Sequence, residues 1–233
     1  MTCEVIYKLL RQRDHSPLTD QRPTTTLEDG SVAAETPPRR GPPPSVKLAV
    51  VAIFSAIIAF ATIFSIPTPT LPALYEITWA PAIYFMLSIL SDRWTAFSAT
   101  SIGSFIGEAY NVAFKGGGSP IYPLGMIWAR GPEVLIIAWA ASRGPKAWTV
   151  AMVVGTVYET LAFLLSDAIF YAYGLFQYPN QGGLLKGLEF AAIPGGDLGT
   201  LVDLAFIPLG LALIYAARPA FRRLGFTVKP SRA

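Results

Sequence analysis

The run Val46-Lys-Leu-Ala-Val-Val-Ala-Ile-Phe-Ser-Ala-Ile-Ile-Ala-Phe-Ala-Thr-Ile-Phe-Ser-Ile66 carries no charge after Lys47. At about 1.5 Å of rise per residue it is long enough, as a helix, to cross a hydrocarbon core about 30 Å thick, so the stretch predicts a transmembrane helix. The residues before it have the opposite character. Residues 1–44 are rich in Pro, Thr, Arg and acidic side chains and end in Thr36-Pro-Pro-Arg-Arg-Gly-Pro-Pro-Pro44. They offer too little apolar surface to offset the entropy of ordering, and predict a disordered cytoplasmic tail. No apolar run followed by a small-residue cleavage site occurs in Met1–Asp14, so the first apolar run is expected to stay in the mature protein.

Five further apolar segments follow. Pro67–Pro72 ends the first helix, and a second, shorter segment spans Ile77–Leu90, with Pro72–Glu76 as a non-helical approach buried in protein. The third covers Trp94–Phe114, the fourth Ile121–Ser142, the fifth Ala147–Tyr173 and the sixth Leu198–Ala217, entered through a break at Pro194-Gly-Gly196. The expected fold class is therefore an all-α membrane protein, a six-helix bundle over 45–218 with a basic cytoplasmic tail at 219–233. Lys and Arg fix its orientation. With six spans, Arg39, Arg40, Lys47, Arg93, Arg143, Lys146, Arg218, Arg222, Arg223, Lys229 and Arg232 fall on one side, against Lys115 and Lys186 on the other. Translocation of positive charge is disfavoured, so the crowded side, with both termini, is the expected cytoplasmic face of a multi-pass cell-membrane protein.

Composition agrees. Of 233 residues 52% are hydrophobic and 14% charged, where a soluble domain carries about 25% charged residues. Cys3 and His15 are the sole residues of their kinds and both fall in the tail, so no Cys/His metal site, haem site or intrachain disulfide is expected. The basic residues sit at the ends of apolar segments instead of on one soluble face, which argues against a nucleic-acid partner despite a pI near 9.0. There is no Gly-x4-Gly-Lys-Ser/Thr and no Gly-x-Ser-x-Gly, so neither ATP hydrolysis nor serine-hydrolase chemistry is expected of this chain, and no cofactor is implied.

The chemistry lies in ionisable residues at membrane depth: Glu108, Arg130, Glu133, Glu159, Asp167, Asp197 and Asp203. Each such group costs about 2.5 to 3.5 kcal/mol on insertion scales, so all seven require pairing, a wet cavity or a ligand. Arg130 and Glu133, three apart on one helix, form one candidate internal pair. Counting helical rises puts Glu108, Asp167 and Asp197 in the outer half and the other four nearer the middle. Tyr110, Asn111, Trp128 and Tyr158 add aromatic faces and hydrogen bonds. Net negative charge with aromatics suits a small cationic or polar heteroaromatic ligand. The alternative use of the same carboxyls is proton coupling. On the first helix Ala49, Ala52, Ala56 and Ala59 form one stripe, suited to a partner helix or to packing within the chain, and Gly103 and Gly107 form a second small-residue pair that suits internal packing.

Six spans with both ends inside, Ala52-Ile-Phe-Ser-Ala56 matching an Ala-x3-Ala signature in helix one, a long first outer connection and Gly103-Ser-Phe-Ile-Gly-Glu108 together resemble the substrate-binding S components of energy-coupling factor (ECF) vitamin importers. The resemblance spans about residues 45–218. It implies a non-enzymatic subunit whose Ala52/Ala56 face docks a membrane coupling subunit served by two ATPase subunits. It implies substrate capture among helices four to six, with Pro67–Glu76 and Gly174–Gly187 as lids. The chain lacks the histidine-bearing amino terminus of the cobalt and nickel branch, and its acidic lining points to thiamine or a precursor. A stand-alone secondary transporter or channel would use the same carboxyls. That architecture usually carries an inverted repeat, and none is evident between 46–114 and 121–217.

Overall fold

The computed structural model describes residues 41–67, 76–115, 121–192 and 197–226. Most of the amino-terminal tail, most of the first lid candidate, the Pro194-Gly-Gly196 break and the end of the carboxy-terminal tail lie outside these residues. Elements run in the order α1 (Pro44–Ile63), β1 (Ile66–Pro67), β2 (Glu76–Ile77), α2 (Ala80–Leu90), α3 (Arg93–Tyr110), a π-helical turn (Asn111–Lys115), α4 (Tyr122–Trp139) and α5 (Pro145–Tyr173). A 3-10 turn (Leu175–Gln177), α6 (Leu184–Ala191), a 3-10 segment (Asp197–Phe206) and α7 (Ile207–Arg223) complete it. Each of the six predicted segments coincides with a helical segment, and α6 begins inside the stretch read from the sequence as the Gly174–Gly187 loop.

Among the described residues three helical segments are long and apolar enough to cross a membrane: Pro44–Ile63, Pro145–Tyr173 and Asp197–Arg223. Their most apolar windows are only 33%, 39% and 22% buried within the protein, so most of that apolar surface faces outward, as it does in helices solvated by lipid. In α3 and α4, Ser, Thr, Gly and ionisable residues lower the apolarity below that standard.

The predicted second span is the clearest departure. The helix starts at Ala80, and Glu76–Ile77 instead pairs antiparallel with Ile66–Pro67. With 11 residues α2 is about 16 Å long, half of a bilayer core. Ten of the 11 are buried, because a helix apolar all round has no face to give to water or headgroups. It packs on α7, α4, α3 and α1, and so forms the centre of the molecule.

Local chemistry fixes the surrounding helices. Asp92 caps α3, accepting from Thr95 N at 3.1 Å and Thr95 Oγ1 at 2.7 Å, and Lys47 at 3.2 Å ties that cap to the start of α1. The faces of α1 and α3 meet backbone to backbone: a Cβ on Gly103 would sit 2.7 Å from the Ser55 carbonyl oxygen, and one on Gly107 2.5 Å from Thr62 Cβ. The glycine pair thus serves internal packing, as expected. In α4, Pro132 has no N–H for the Trp128 carbonyl one turn back; the Tyr158 hydroxyl donates to that carbonyl instead, at 2.9 Å. Gly174, at φ 62°, ends α5. α7 extends past the predicted end at Ala217, through Pro219, and finishes with Arg222 and Arg223 beside its carbonyl end.

Candidate functional site

Four elements bring ionisable groups together at the middle of the bundle, and α3 adds a hydroxyl. Arg130 on α4 pairs with Glu159 on α5, Nε to Oε1 at 2.8 Å, and its Nη1 donates to Ser104 Oγ of α3 at 3.3 Å. Tyr84 of α2 lies with its hydroxyl 3.5 Å from Glu159 Oε2 and 3.4 Å from Asp203 Oδ2 of the 3-10 segment, and its single proton serves one of them at a time. Thr156 of α5 donates to Glu133 Oε1 at 3.2 Å, while Glu133 Oε2 is buried with no partner. Glu133, Glu159 and Tyr84 are 0% exposed, Asp203 6% and Arg130 7%.

The internal Arg130–Glu133 pair weighed from the sequence is not formed. Gly155 explains why: a Cβ there would lie 2.9 Å from Glu133 Cγ, so the glycine opens a slot on α5 that receives Glu133, while Arg130 reaches Glu159 one turn further on. One guanidinium therefore faces three carboxyl groups. Fully ionised, the cluster would hold two uncompensated negative charges in a site closed to water, so it takes up positive charge from elsewhere, as protons or as a cationic group.

A second acidic group lies about 12 Å further along α5, eight residues on from Glu159. Asp167 is hydrogen-bonded to Asp197 at the start of the 3-10 segment and accepts from the Tyr178 hydroxyl at 3.4 Å. Tyr171 packs edge-on against Tyr178, with centroids 4.6 Å apart, and against Phe190 of α6 at 4.4 Å. Phe170 completes the aromatic surround, 5.6 Å from Tyr178. α6 approaches α5 so closely that a Cβ on Gly187 would run into the Ala168 carbonyl. The last four residues of the second lid candidate, Leu184 to Gly187, thus belong to a helix docked on α5. Burial and the neighbouring carboxyls push the Tyr178 phenol above its ordinary range, so it stays a neutral donor.

Helical counting put Glu108, Asp167 and Asp197 at one level and Arg130, Glu133, Glu159 and Asp203 at another; Asp167 and Asp197 do lie together, as do the latter four, but Glu108 acts on Arg130 of the central group. The remaining predicted residues bond elsewhere. Glu108 is half-buried on α3, and its charge acts on Arg130. Asn111 donates to the Thr62 carbonyl at 3.3 Å, and Lys115 to the Ile63 carbonyl at 2.6 Å, so both close the end of α1. Trp128 is 37% exposed and donates to Ser166 Oγ at 3.0 Å, joining α4 to α5. Ala49, Ala52 and Ala56 are exposed, and Ala59 is buried against α3.

Sequence reading missed Tyr84, Tyr171, Tyr178, Ser104 and Thr156. Tyr84 carried a signal: a phenol inside a wholly apolar helix needs a buried partner. Among the described residues no group of three or more His, Cys, Asp or Glu is arranged to hold a metal ion. Comparison with family models, curated proteins and solved structures returned no match.

Proposed function

We propose that this chain is the substrate-binding membrane subunit of an ECF-type importer, a six-span protein with both termini cytoplasmic that captures a small organic cation such as thiamine or a precursor. The ligand site is the Asp167/Asp197 pair with its aromatic surround. The two carboxyls, hydrogen-bonded through one shared proton, leave one negative charge to attract a cation, and Tyr171, Tyr178 and Phe190 give faces for a flat or cationic group. The observation that carries the reading is the exposed Ala49/Ala52/Ala56 stripe on a helix whose adjoining face, with Ser55, Ala59 and Thr62, is already committed to α3. Small side chains on an outward face let another helix backbone approach closely, which is what docking to a coupling subunit requires.

The test is the double variant Ala52→Trp/Ala56→Trp. It abolishes uptake in cells holding the partner subunits and leaves ligand binding by the isolated chain unchanged. Loss of both functions sinks the docking role.

A second reading is favoured by the charge imbalance around Arg130: a stand-alone transporter that carries protons on its central carboxyls. Uptake by proteoliposomes containing this chain alone, driven by a pH gradient, would select it.

A further inference from the structure

The Arg143–Lys146 end of the bundle carries a groove that neither acidic cluster uses. It has a volume of about 380 Å³ and lies between α4 and α5, with Ile136, Ala147, Val150, Ala151 and Val154 along it and Trp139, Arg143 and Lys146 at one end. Val150 and Val154 are 62% and 51% exposed, so the groove opens sideways, toward the surface that lipid would cover. Its length from Lys146 to Val154 is about 12 Å. The Arg143 guanidinium stacks 3.2 Å over the exposed Trp139 ring, which holds it in place while leaving its N–H edge free to donate. Neither Arg143 nor Lys146 has an acidic partner among the described residues.

A cationic end with an aromatic at headgroup level and an apolar channel running away from it has the polarity of one lipid molecule. We infer that this groove binds an anionic phospholipid, its phosphate against Arg143 and Lys146 and one acyl chain along Val150 and Val154. Charge complementarity selects the headgroup, because two unpaired cations beside one another at the bilayer surface attract a net negative phosphate more strongly than a zwitterion. The bound lipid fills the channel between α4 and α5, the two helices that present Arg130 and Glu159 to each other. The inference rests on the chain being embedded in a membrane and is independent of the importer reading.

The experiment is native mass spectrometry of the full chain in mild detergent with equal amounts of phosphatidylglycerol and phosphatidylcholine. The wild type retains phosphatidylglycerol preferentially, and Arg143→Gln/Lys146→Gln reduces that preference by about tenfold or more. Val150→Trp, which fills the channel and keeps both charges, lowers retention of the same lipid. Arg222→Gln/Arg223→Gln, which removes two positive charges elsewhere, leaves it unchanged. Equal retention of both lipids by the wild type, or equal loss in the Arg222/Arg223 control, overturns the inference. A chain that fails to sediment with membranes defeats the embedded reading itself, a result separate from either of these.

Discussion

Replacing Arg130 with Met tests the central cluster most sharply. Arg130→Met keeps most of the side-chain volume but removes the partner of Glu159 Oε1 at 2.8 Å and the donor to Ser104. Glu159 is 0% exposed, so its carboxylate is left unpaired where water does not reach it. Breaking a buried pair in this way costs about 3 to 5 kcal/mol. Glu133→Gln works in the opposite sense: it removes one of the surplus negative charges and keeps a carbonyl oxygen to accept from Thr156. It is expected to be neutral or stabilising. The double variant Arg130→Met/Glu159→Met removes both charges and should be more stable than Arg130→Met alone, since the uncompensated carboxylate is gone. Thermal unfolding in mild detergent, followed by tryptophan fluorescence, ranks the four proteins. If Arg130→Met and Glu133→Gln destabilise equally, or the double variant is no more stable than Arg130→Met, the charge-imbalance reasoning fails.

Asp167→Asn and Tyr178→Phe should each weaken binding of a cationic ligand by isothermal titration, the former by 1 kcal/mol or more as expected for a desolvated charge pair, and unchanged affinity in both would remove the ligand from this site. Tyr158→Phe should destabilise by about 1 to 3 kcal/mol in chemical unfolding, because it orphans the Trp128 carbonyl freed by Pro132. Gly107→Leu should disrupt the contact of α1 with α3 and lower the melting temperature more than Gly199→Leu, whose Cβ meets nothing within 4 Å and whose φ is not positive. At Asp92, partial burial acts to raise the carboxyl pKa, but hydrogen bonds from Thr95 and Lys47 outweigh it and hold the group below its ordinary value. A depressed folded value stabilises above the unfolded pKa of about 3.9 and is lost as pH falls through the folded value, so the gap in melting temperature between wild type and Asp92→Ala should narrow below about pH 4.

Period and apolarity made the helices legible. Pro44–Ile63 follows from a run with no charge after Lys47 and Pro145–Tyr173 from a long apolar stretch broken only by Glu159 and Asp167 in its interior, and the Pro and Gly residues between segments mark their ends. Helix α2 was legible as apolar but not as central: a short run reads alike as a truncated span or a buried core helix, and packing by its neighbours decides between them. The candidate site was half legible. Charges at depth are costly enough to stand out one by one, and counting along helices sorted them into two levels. Which charge meets which was not legible, because it depends on Gly155 opening a slot for Glu133, a contact 22 residues away in sequence. Asn111 and Trp128 looked like ligand groups because a polar or indole side chain in an apolar helix serves a helix end or an interhelical bond equally well.

Native mass spectrometry of the chain drawn from the membranes of the cells that make it tests the proposed function most directly. The expected result is a small organic cation bound to the chain, travelling with a membrane coupling subunit and two ATPase subunits, and loss of those subunits but not of the ligand in Ala52→Trp/Ala56→Trp. A chain recovered without partners or ligand, and competent alone for uptake driven by a pH gradient, would contradict it.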